Sequence, residues 1–484
     1  MSPRRSYNIR MEMEKEITVL VLAHFLFFWR TYFKPMDFAR SELLSTFFPS
    51  WIWQGRQIRQ FKSWKYDPYY WLNFHSHPVL SSYYPIHVLS AWVGSFLSLD
   101  NAFKLLLWSV RLHHLVTSIA WFLTLSYFYE PTIAIFGSFI LTYNAFNIKQ
   151  QPCLVYTVTQ TSLLTLGIVS GNIFLSSLSF GSLLLAGYYP IGIQATLWAL
   201  ALTLLSQTSF VWVPIGLLVG SIQFIPFIKY LPKTIRTKKV GLLGILKVSD
   251  FLELLWPQRV SKHGVGYQEL SFYMGLVAVL CLPFSTSRAI WIILLSALIM
   301  LGIGRKWLPR IPARFGFLLT IGLGWCATNG LSNMALTYHS LLALVFLTYF
   351  DLFWHNSTLD PHLPHSELPN RPKWAFQTAL TTFLEANSKG FRISGLPYPL
   401  FTGHINRLQT LGYSGGMQLK LMSKWRQDNN PDGGGEHNYF QSHEDNELLD
   451  RYRVRFSYQG KGHDWLSTPV RGLWENPRLQ GSPS

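Results

Sequence analysis

The stretch "AIWIILLSALIMLGIG", residues 289–304, decides the fold class of this chain, because it carries no charged side chain over 16 consecutive residues. A membrane-spanning helix needs about 20 predominantly apolar residues. Comparable runs are "ITVLVLAHFLFFW" at 17–29 and "LLALVFLTYFDLFW" at 341–354. Only 13% of the 484 residues are charged, about half the share of a soluble domain. We therefore predict a mainly α, polytopic membrane protein with about nine to eleven transmembrane helices.

The charges divide the chain. Residues 1–355 hold 27 of the 41 Lys and Arg residues but only 12 of the 24 Asp and Glu residues. Basic residues beside apolar runs orient helices and contact anionic lipid, and no basic stretch lies in a module of a nucleic-acid-binding type. Four basic residues precede the first apolar run. This predicts a cytoplasmic N-terminus, an outer first loop and no nucleic-acid partner.

Two long polar segments interrupt a predicted transmembrane domain over residues 1–355. The first, 34–85, is rich in aromatic residues such as Trp51 and Trp53, which suits a loop at the level of the lipid headgroups. The second, 229–268, is basic. Residues 356–484 lack a spanning run, and "GFRISGLPYP" and "DRYRVRFSYQG" alternate like strands. We expect a small mixed α/β or β domain there, on the outer side.

Several landmarks follow one another in an order that is similar to a known family. Glu42 precedes Pro49 by seven positions, "WQGRQ" follows, and Tyr84-Pro85 closes the first loop; further along come "ELSFYMGL" from Glu269 and "DLFWHNSTLDP" from Asp351. This ordered set resembles the bacterial YfhO-like membrane proteins.

The resemblance implies a glycosyltransferase of the GT-C superfamily in the bacterial cytoplasmic membrane. Such an enzyme moves a sugar from a polyprenyl-phosphate donor to an envelope glycan or polymer outside the cytoplasm. The position that matches the superfamily's catalytic carboxylate is Glu42, where relatives often have Asp. The tail stops where relatives usually continue, so the resemblance also implies a shortened outer domain.

The chemistry of sugar transfer needs a carboxylate to take the proton of the attacking hydroxyl. We assign this role to Glu42, with Asp37 as the second choice. The alternative for Glu42 is a carboxylate at a helix N-terminus, with Ser41 as the N-cap.

A departing lipid phosphate needs fixed positive charge. The candidates are Arg56 and Arg59 in the first loop and Lys233 and Arg236 in the second, with contact to lipid headgroups as the alternative. His77 is a candidate for binding a sugar hydroxyl.

The first loop has no third ligand beside His75 and His77 and no Asp-x-Asp motif. The sequence therefore favours metal independence over a divalent cation, and it predicts no cofactor.

Two other functions stay open. A carrier or flippase for a lipid-linked sugar would use the same aromatic and basic residues without needing Glu42 as a base. A non-catalytic assembly protein of the envelope would need no lipid-phosphate pocket beside the first loop.

Overall fold

A computed structural model describes most of the predicted transmembrane domain and short strands beyond it. The described residues are 3–33, 47–62, 66–67, 72–73, 81, 83–148, 152–230, 245–255, 272–303, 312–356, 392–394, 409–411, 454–458, 466–467 and 473–475.

The chain is mainly helical. Its helices are α1 (Pro3–Phe27), α2 (Trp29–Phe33), α3 (Phe48–Arg59), α4 (Pro85–Gly94), α5 (Leu99–Leu125), α6 (Pro131–Tyr143), α7 (Ala145–Ile148), α8 (Pro152–Val169), α9 (Ile173–Ala186), α10 (Tyr189–Leu205), α11 (Trp212–Tyr230), α12 (Leu276–Cys281), α13 (Ile290–Met300), α14 (Gly316–Asn333) and α15 (Tyr338–Asn356). Short 3-10 segments occupy Val248–Leu254, Leu282–Phe284 and Pro312–Phe315.

Local chemistry sets several helix ends. Pro85, Pro131 and Pro152 each stand at the first position of a helix, where the missing N–H costs nothing and the fixed φ favours helical geometry. The side chain of Asn172 accepts a hydrogen bond from the Leu175 amide at 2.9 Å and so caps α9. Gly187, at φ 85°, ends the same helix in the left-handed conformation.

Two of the described helices, Pro152–Val169 and Trp212–Lys229, are long and apolar enough to cross a membrane. Four shorter apolar helices accompany them: Pro131–Tyr143, Ile173–Ala186, Tyr189–Leu205 and Ile290–Met300. The count of nine to eleven spans remains a prediction.

Helix α15 is apolar on both its faces. Leu341, Val345 and Leu352 are buried, whereas Phe346 and Trp354 are 66% and 65% exposed. A helix of a soluble domain presents polar side chains on its outer face. Large exposed apolar side chains on the outer face of a helix are the pattern expected where hydrocarbon replaces water.

The chain forms two compact units. The first comprises residues 1–35, 108–222 and 240–362, and the second comprises residues 36–107, 223–239 and 363–484.

Hydroxyl groups join the helices inside the first unit. Thr117 of α5 and Thr159 of α8 are 2.9 Å apart at their hydroxyl oxygens, and Ser118 of α5 and Ser138 of α6 are also 2.9 Å apart. All four residues are buried. Small hydroxylated residues let helices approach closely and hydrogen-bond across the contact, as is common in membrane bundles.

In the second unit, α3 and α4 pack with almost no space between their backbones. A Cβ atom at Gly55 would collide with the Ala91 carbonyl oxygen, and one at Gly94 would collide with the Trp51 ring. The Trp51 indole N–H also donates to the Ser90 hydroxyl at 3.3 Å. The expectation that Trp51 and Trp53 belong to a headgroup belt is wrong, because both side chains are buried (0% and 3% exposed).

The described strands are short. Strands β1 (Tyr66–Asp67) and β2 (Leu72–Asn73) form an antiparallel pair with Tyr66 opposite Asn73. A five-stranded sheet has the order β4-β3-β5-β7-β6, formed by β3 (Arg392–Ser394), β4 (Gln409–Leu411), β5 (Val454–Tyr458), β6 (Leu466–Ser467) and β7 (Leu473–Glu475). Strand β3 runs parallel to β4 and β5, and β7 is antiparallel to its neighbours. Strands β3 and β5 lie in the two stretches whose alternation indicates strands.

Candidate functional site: an arginine pocket in the first loop

Two of the seven predicted site residues, Arg56 and Arg59, lie in the described part of the chain. Both belong to the last turn of α3. The carboxylates Glu42 and Asp37, together with His77, Lys233 and Arg236, lie outside the described residues. Their roles and the alternative of Glu42 as a helix-end carboxylate therefore remain predictions.

The close packing of α3 against α4 fixes the place of the two arginines. Because Gly55 lies against Ala91, the turn that follows Gly55 reaches the C-terminal end of α4. Arg59 Nη1 donates a hydrogen bond of 3.0 Å to the Ser95 carbonyl oxygen, and its guanidinium carbon lies 4.7 Å from the centre of the Phe96 ring. Arg59 therefore caps α4 at the end where a cation is favourable.

Beside this contact is a cavity of about 340 Å³, lined by Arg56, Arg59, Gln60 and Ser95. Small-molecule pockets are typically about 300 to 1,000 Å³, so the cavity can take a phosphate group with part of a sugar. A guanidinium presents five N–H donors in a planar fork. Arg59 uses one of them on Ser95, and the pocket can offer others to an anion.

A second group of polar side chains lies in the first unit, where the C-terminal ends of α1, α6 and α15 meet. His24 is fully buried, with its Nε2 atom 3.0 Å from the Tyr32 hydroxyl and its Nδ1 atom 3.4 Å from the Tyr143 hydroxyl. Tyr349 of α15 donates to the Ala23 carbonyl at 2.7 Å. Asn356 donates to the Tyr143 carbonyl at 2.8 Å.

A carboxylate completes this end of the bundle. Asp351 accepts hydrogen bonds from the Tyr273 hydroxyl at 2.6 Å and from the Leu276 amide at 2.7 Å. The His355 Nε2 atom is 3.6 Å from the same carboxylate. Burial and the bond to Asp351 raise the pKa of Tyr273 well above its ordinary value, so the phenol keeps its proton and remains a donor. Asp351 thereby ties the segment before α12 to α15.

No group of three His, Cys, Asp or Glu side chains among the described residues could hold a metal ion. His75 and His77 lie outside those residues. The preference for metal independence thus remains a prediction.

Tyr273, Asp351 and Arg111 are not among the site residues predicted from the sequence. Tyr273 and Asp351 stand in two of the segments that carry the family resemblance, "ELSFYMGL" and "DLFWHNSTLDP", and the structure joins them by a hydrogen bond. Their pairing over 78 positions has no local signal in the sequence. Arg111 could have been singled out from the sequence, because a charged residue inside an apolar run marks a functional position.

Comparison with known proteins adds no relative, since no family model matches the chain and no curated protein matches it.

Proposed function

We propose that this protein is a membrane glycosyltransferase that uses a polyprenyl-phosphate-linked sugar and an acceptor in the cell envelope. The observation that carries the proposal is the pocket formed by Arg56 and Arg59 in the first loop. Sugar transfer leaves a lipid phosphate, whose charge needs hydrogen-bond donors fixed in place before the reaction. The ordered resemblance to YfhO-like proteins supports the same reaction class.

In this proposal Glu42 is the base, with Asp37 as the second choice, and the two arginines stabilise the leaving phosphate. The base takes the proton of the acceptor hydroxyl as the acceptor oxygen bonds to the anomeric carbon of the sugar, and the bond between that carbon and the phosphate oxygen breaks. The phosphate leaves as an anion, so it needs no acid. His77, Lys233 and Arg236 remain candidates for binding the donor sugar and its phosphate.

The setting proposed for this reaction is the bacterial cytoplasmic membrane, with the N-terminus inside and the first loop outside. The two helices able to span a membrane and the exposed apolar face of α15 support a membrane setting. Nine to eleven spans and an outer domain over residues 356–484 belong to the same proposal.

The test is transfer of label from a panel of polyprenyl-phosphate sugars in liposomes that contain the purified protein, with a crude envelope extract as acceptor. We expect the wild type to move label and Arg56→Gln to lower the rate about ten- to a hundredfold, because one charged donor to the phosphate is lost. The matched control is Lys62→Gln. It removes an exposed cation just beyond α3 that does not line the pocket, and should leave the rate unchanged.

Two outcomes would contradict the proposal. Equal transfer rates for the wild type and Arg56→Gln would show that the pocket takes no part in the reaction. Label that crosses the bilayer without reaching an acceptor would instead support the carrier.

A further inference from the structure

Helix α5 carries an arginine that no described side chain neutralises. Arg111 is the thirteenth residue of this helix, about 18 Å from its start at 1.5 Å per residue. Its guanidinium carbon lies 4.6 Å from the centre of the Phe28 ring. The Nε atom is buried without a hydrogen-bond partner, and no described carboxylate forms an ion pair with the side chain.

The surroundings of Arg111 are aromatic and apolar. Phe28 also contacts the His114 ring at 5.2 Å between centroids, and the Tyr32 ring lies 6.4 Å from the Trp108 ring. On α5 itself, Trp108, Leu112 and Val116 are each more than 40% exposed. Their four-residue spacing places them on one face of the helix, beside Arg111. In a membrane this face contacts hydrocarbon.

A charge in such a place needs compensation. An arginine inside a membrane helix is costly even by insertion scales. A cation–π contact with one phenylalanine recovers only part of that cost. A bound anion would supply the remainder by accepting hydrogen bonds from the terminal N–H groups of the guanidinium.

The position of the guanidinium favours an anion that comes from the interface. Side chains on a helix lean toward its N-terminus, so Arg111 reaches back toward the level of Trp108. Trp108 lies beside Tyr32, which is next to the last residue of α2. The guanidinium itself contacts Phe28, one turn before Tyr32 along the segment formed by α1 and α2.

We propose that Arg111 binds the phosphate group of an amphiphile that enters sideways between α1–α2 and α5. The Arg111 guanidinium would be the main donor. The Tyr32 hydroxyl would be a second donor. If His24 Nε2 carries the hydrogen and donates to the Tyr32 oxygen, the hydroxyl hydrogen of Tyr32 is free to point to the ligand. The exposed side chains of Phe25 (45%) and Trp108 (42%) would contact its hydrocarbon chain.

This site is separate in sequence from the arginines of the first loop, and it does not require sugar transfer. A protein that binds a lipid phosphate at Arg111 and transfers no sugar would leave this inference intact and contradict only the proposed function.

The experiment measures binding of radiolabelled farnesyl phosphate to the purified full chain in detergent, with unlabelled competitors. Farnesyl phosphate should compete well, whereas farnesol, which lacks the anion, and inorganic phosphate, which lacks the chain, should compete at least about tenfold more weakly. Arg111→Gln should weaken binding about tenfold or more. Arg111→Lys should fall between, because it keeps the charge and loses the fork.

The control variant is Lys104→Gln, which removes another cation of α5 two turns earlier and should bind like the wild type. Tyr32→Phe keeps the ring and removes the second donor, so a loss of a few fold is expected even if Arg111→Gln does not fold. The inference is overturned if farnesol competes as well as farnesyl phosphate, or if Arg111→Gln and Tyr32→Phe both bind like the wild type. Equal competition by inorganic phosphate would overturn the assignment to an amphiphile.

Discussion

Arg59 holds a helix end and lines a pocket with the same guanidinium. Its bond to the Ser95 carbonyl and its position over Phe96 join the last turn of α3 to the end of α4. Arginine suits both duties because its donors point in several fixed directions, whereas a lysine offers one compact charge. Under the proposed function, one guanidinium would serve both as a structural contact and as a phosphate donor.

Replacing Arg59 with Ala should therefore lower stability as well as phosphate binding. The lost hydrogen bond and ring contact are each worth about 1 kcal/mol at an exposed site. Thermal unfolding of the purified protein in detergent measures the loss, and Arg59→Lys should recover part of it. An unfolding midpoint of Arg59→Ala equal to that of the wild type would show that the contact to α4 contributes nothing.

The two hydrogen bonds that Asp351 accepts give a second prediction for single residues. Each Asp351 carboxylate oxygen accepts one hydrogen bond, from the Tyr273 hydroxyl or from the Leu276 amide. Asp351→Asn replaces one of these oxygens with an N–H₂ group, which cannot accept. We expect a loss of about 1 to 3 kcal/mol in unfolding free energy, since one of these two donors loses its acceptor. Tyr273→Phe removes one bond only and should cost less.

A double-mutant cycle separates the direct contact from general damage. If Tyr273 and Asp351 interact as the structure shows, the double variant should be more stable than the sum of the two single losses predicts, by about 1 kcal/mol or more. Additive losses in unfolding free energy would contradict a direct bond.

Among the helix pairs, α3 and α4 meet closely at two glycines, Gly55 and Gly94, and the tighter contact is at Gly55. Any side chain at Gly55 would meet the Ala91 carbonyl oxygen, so the helices would have to separate and the pocket would lose its wall. Gly55→Ala should therefore lower the unfolding free energy by about 1 to 3 kcal/mol or more, in the range of overpacked cores, and should lower donor binding.

The chain offers a matched control in Gly192 of α10, where an added Cβ meets no atom within 4 Å. Gly192→Ala should raise stability by up to about 1 kcal/mol, because alanine favours the helix over the unfolded chain. If Gly55→Ala were as stable as Gly192→Ala, the packing of α3 on α4 described above would be wrong.

A transmembrane-type helix and the first loop show what could be predicted from the sequence and what could not. The apolar run at residues 289–304 predicts helix α13 (Ile290–Met300) because this signal is local. The first loop was predicted to be a headgroup-level segment, since its tryptophans suit an interface. Trp51 is instead buried against Gly94, and that contact joins residues 43 positions apart. No local pattern encodes it.

The candidate site divides in the same way. The chemistry of a phosphate leaving group makes Arg56 and Arg59 candidates from the sequence, and both line one cavity in the structure. Their role in phosphate binding stays a prediction. The unpaired state of Arg111 could not be predicted, because it depends on which side chains of α1 and α2 pack against α5. A charge inside an apolar run signals a special position, but the sequence does not show its partner.

At the scale of the whole molecule, the proposed topology predicts opposite sides for two exposed lysines. Lys15 precedes the first apolar run and Lys62 lies in the first loop. The three native cysteines, Cys153, Cys281 and Cys326, are buried, so a cysteine introduced at either lysine should be the reactive one. In intact cells, a membrane-impermeant maleimide should label Lys62→Cys and leave Lys15→Cys unlabelled until the membrane is permeabilised. The reverse labelling pattern would show that the chain crosses the membrane in the opposite orientation.

The proposed role of Glu42 as the base is tested by the rate of sugar transfer in liposomes for the wild type, Glu42→Asp and Glu42→Gln. If a carboxylate at this position takes the acceptor proton, Glu42→Gln should lower the transfer rate at least about a hundredfold, in the range expected when a general base is lost. Glu42→Asp should keep measurable transfer, because it retains the base. Transfer by Glu42→Gln at the wild-type rate would show that Glu42 is not the base and would contradict the account.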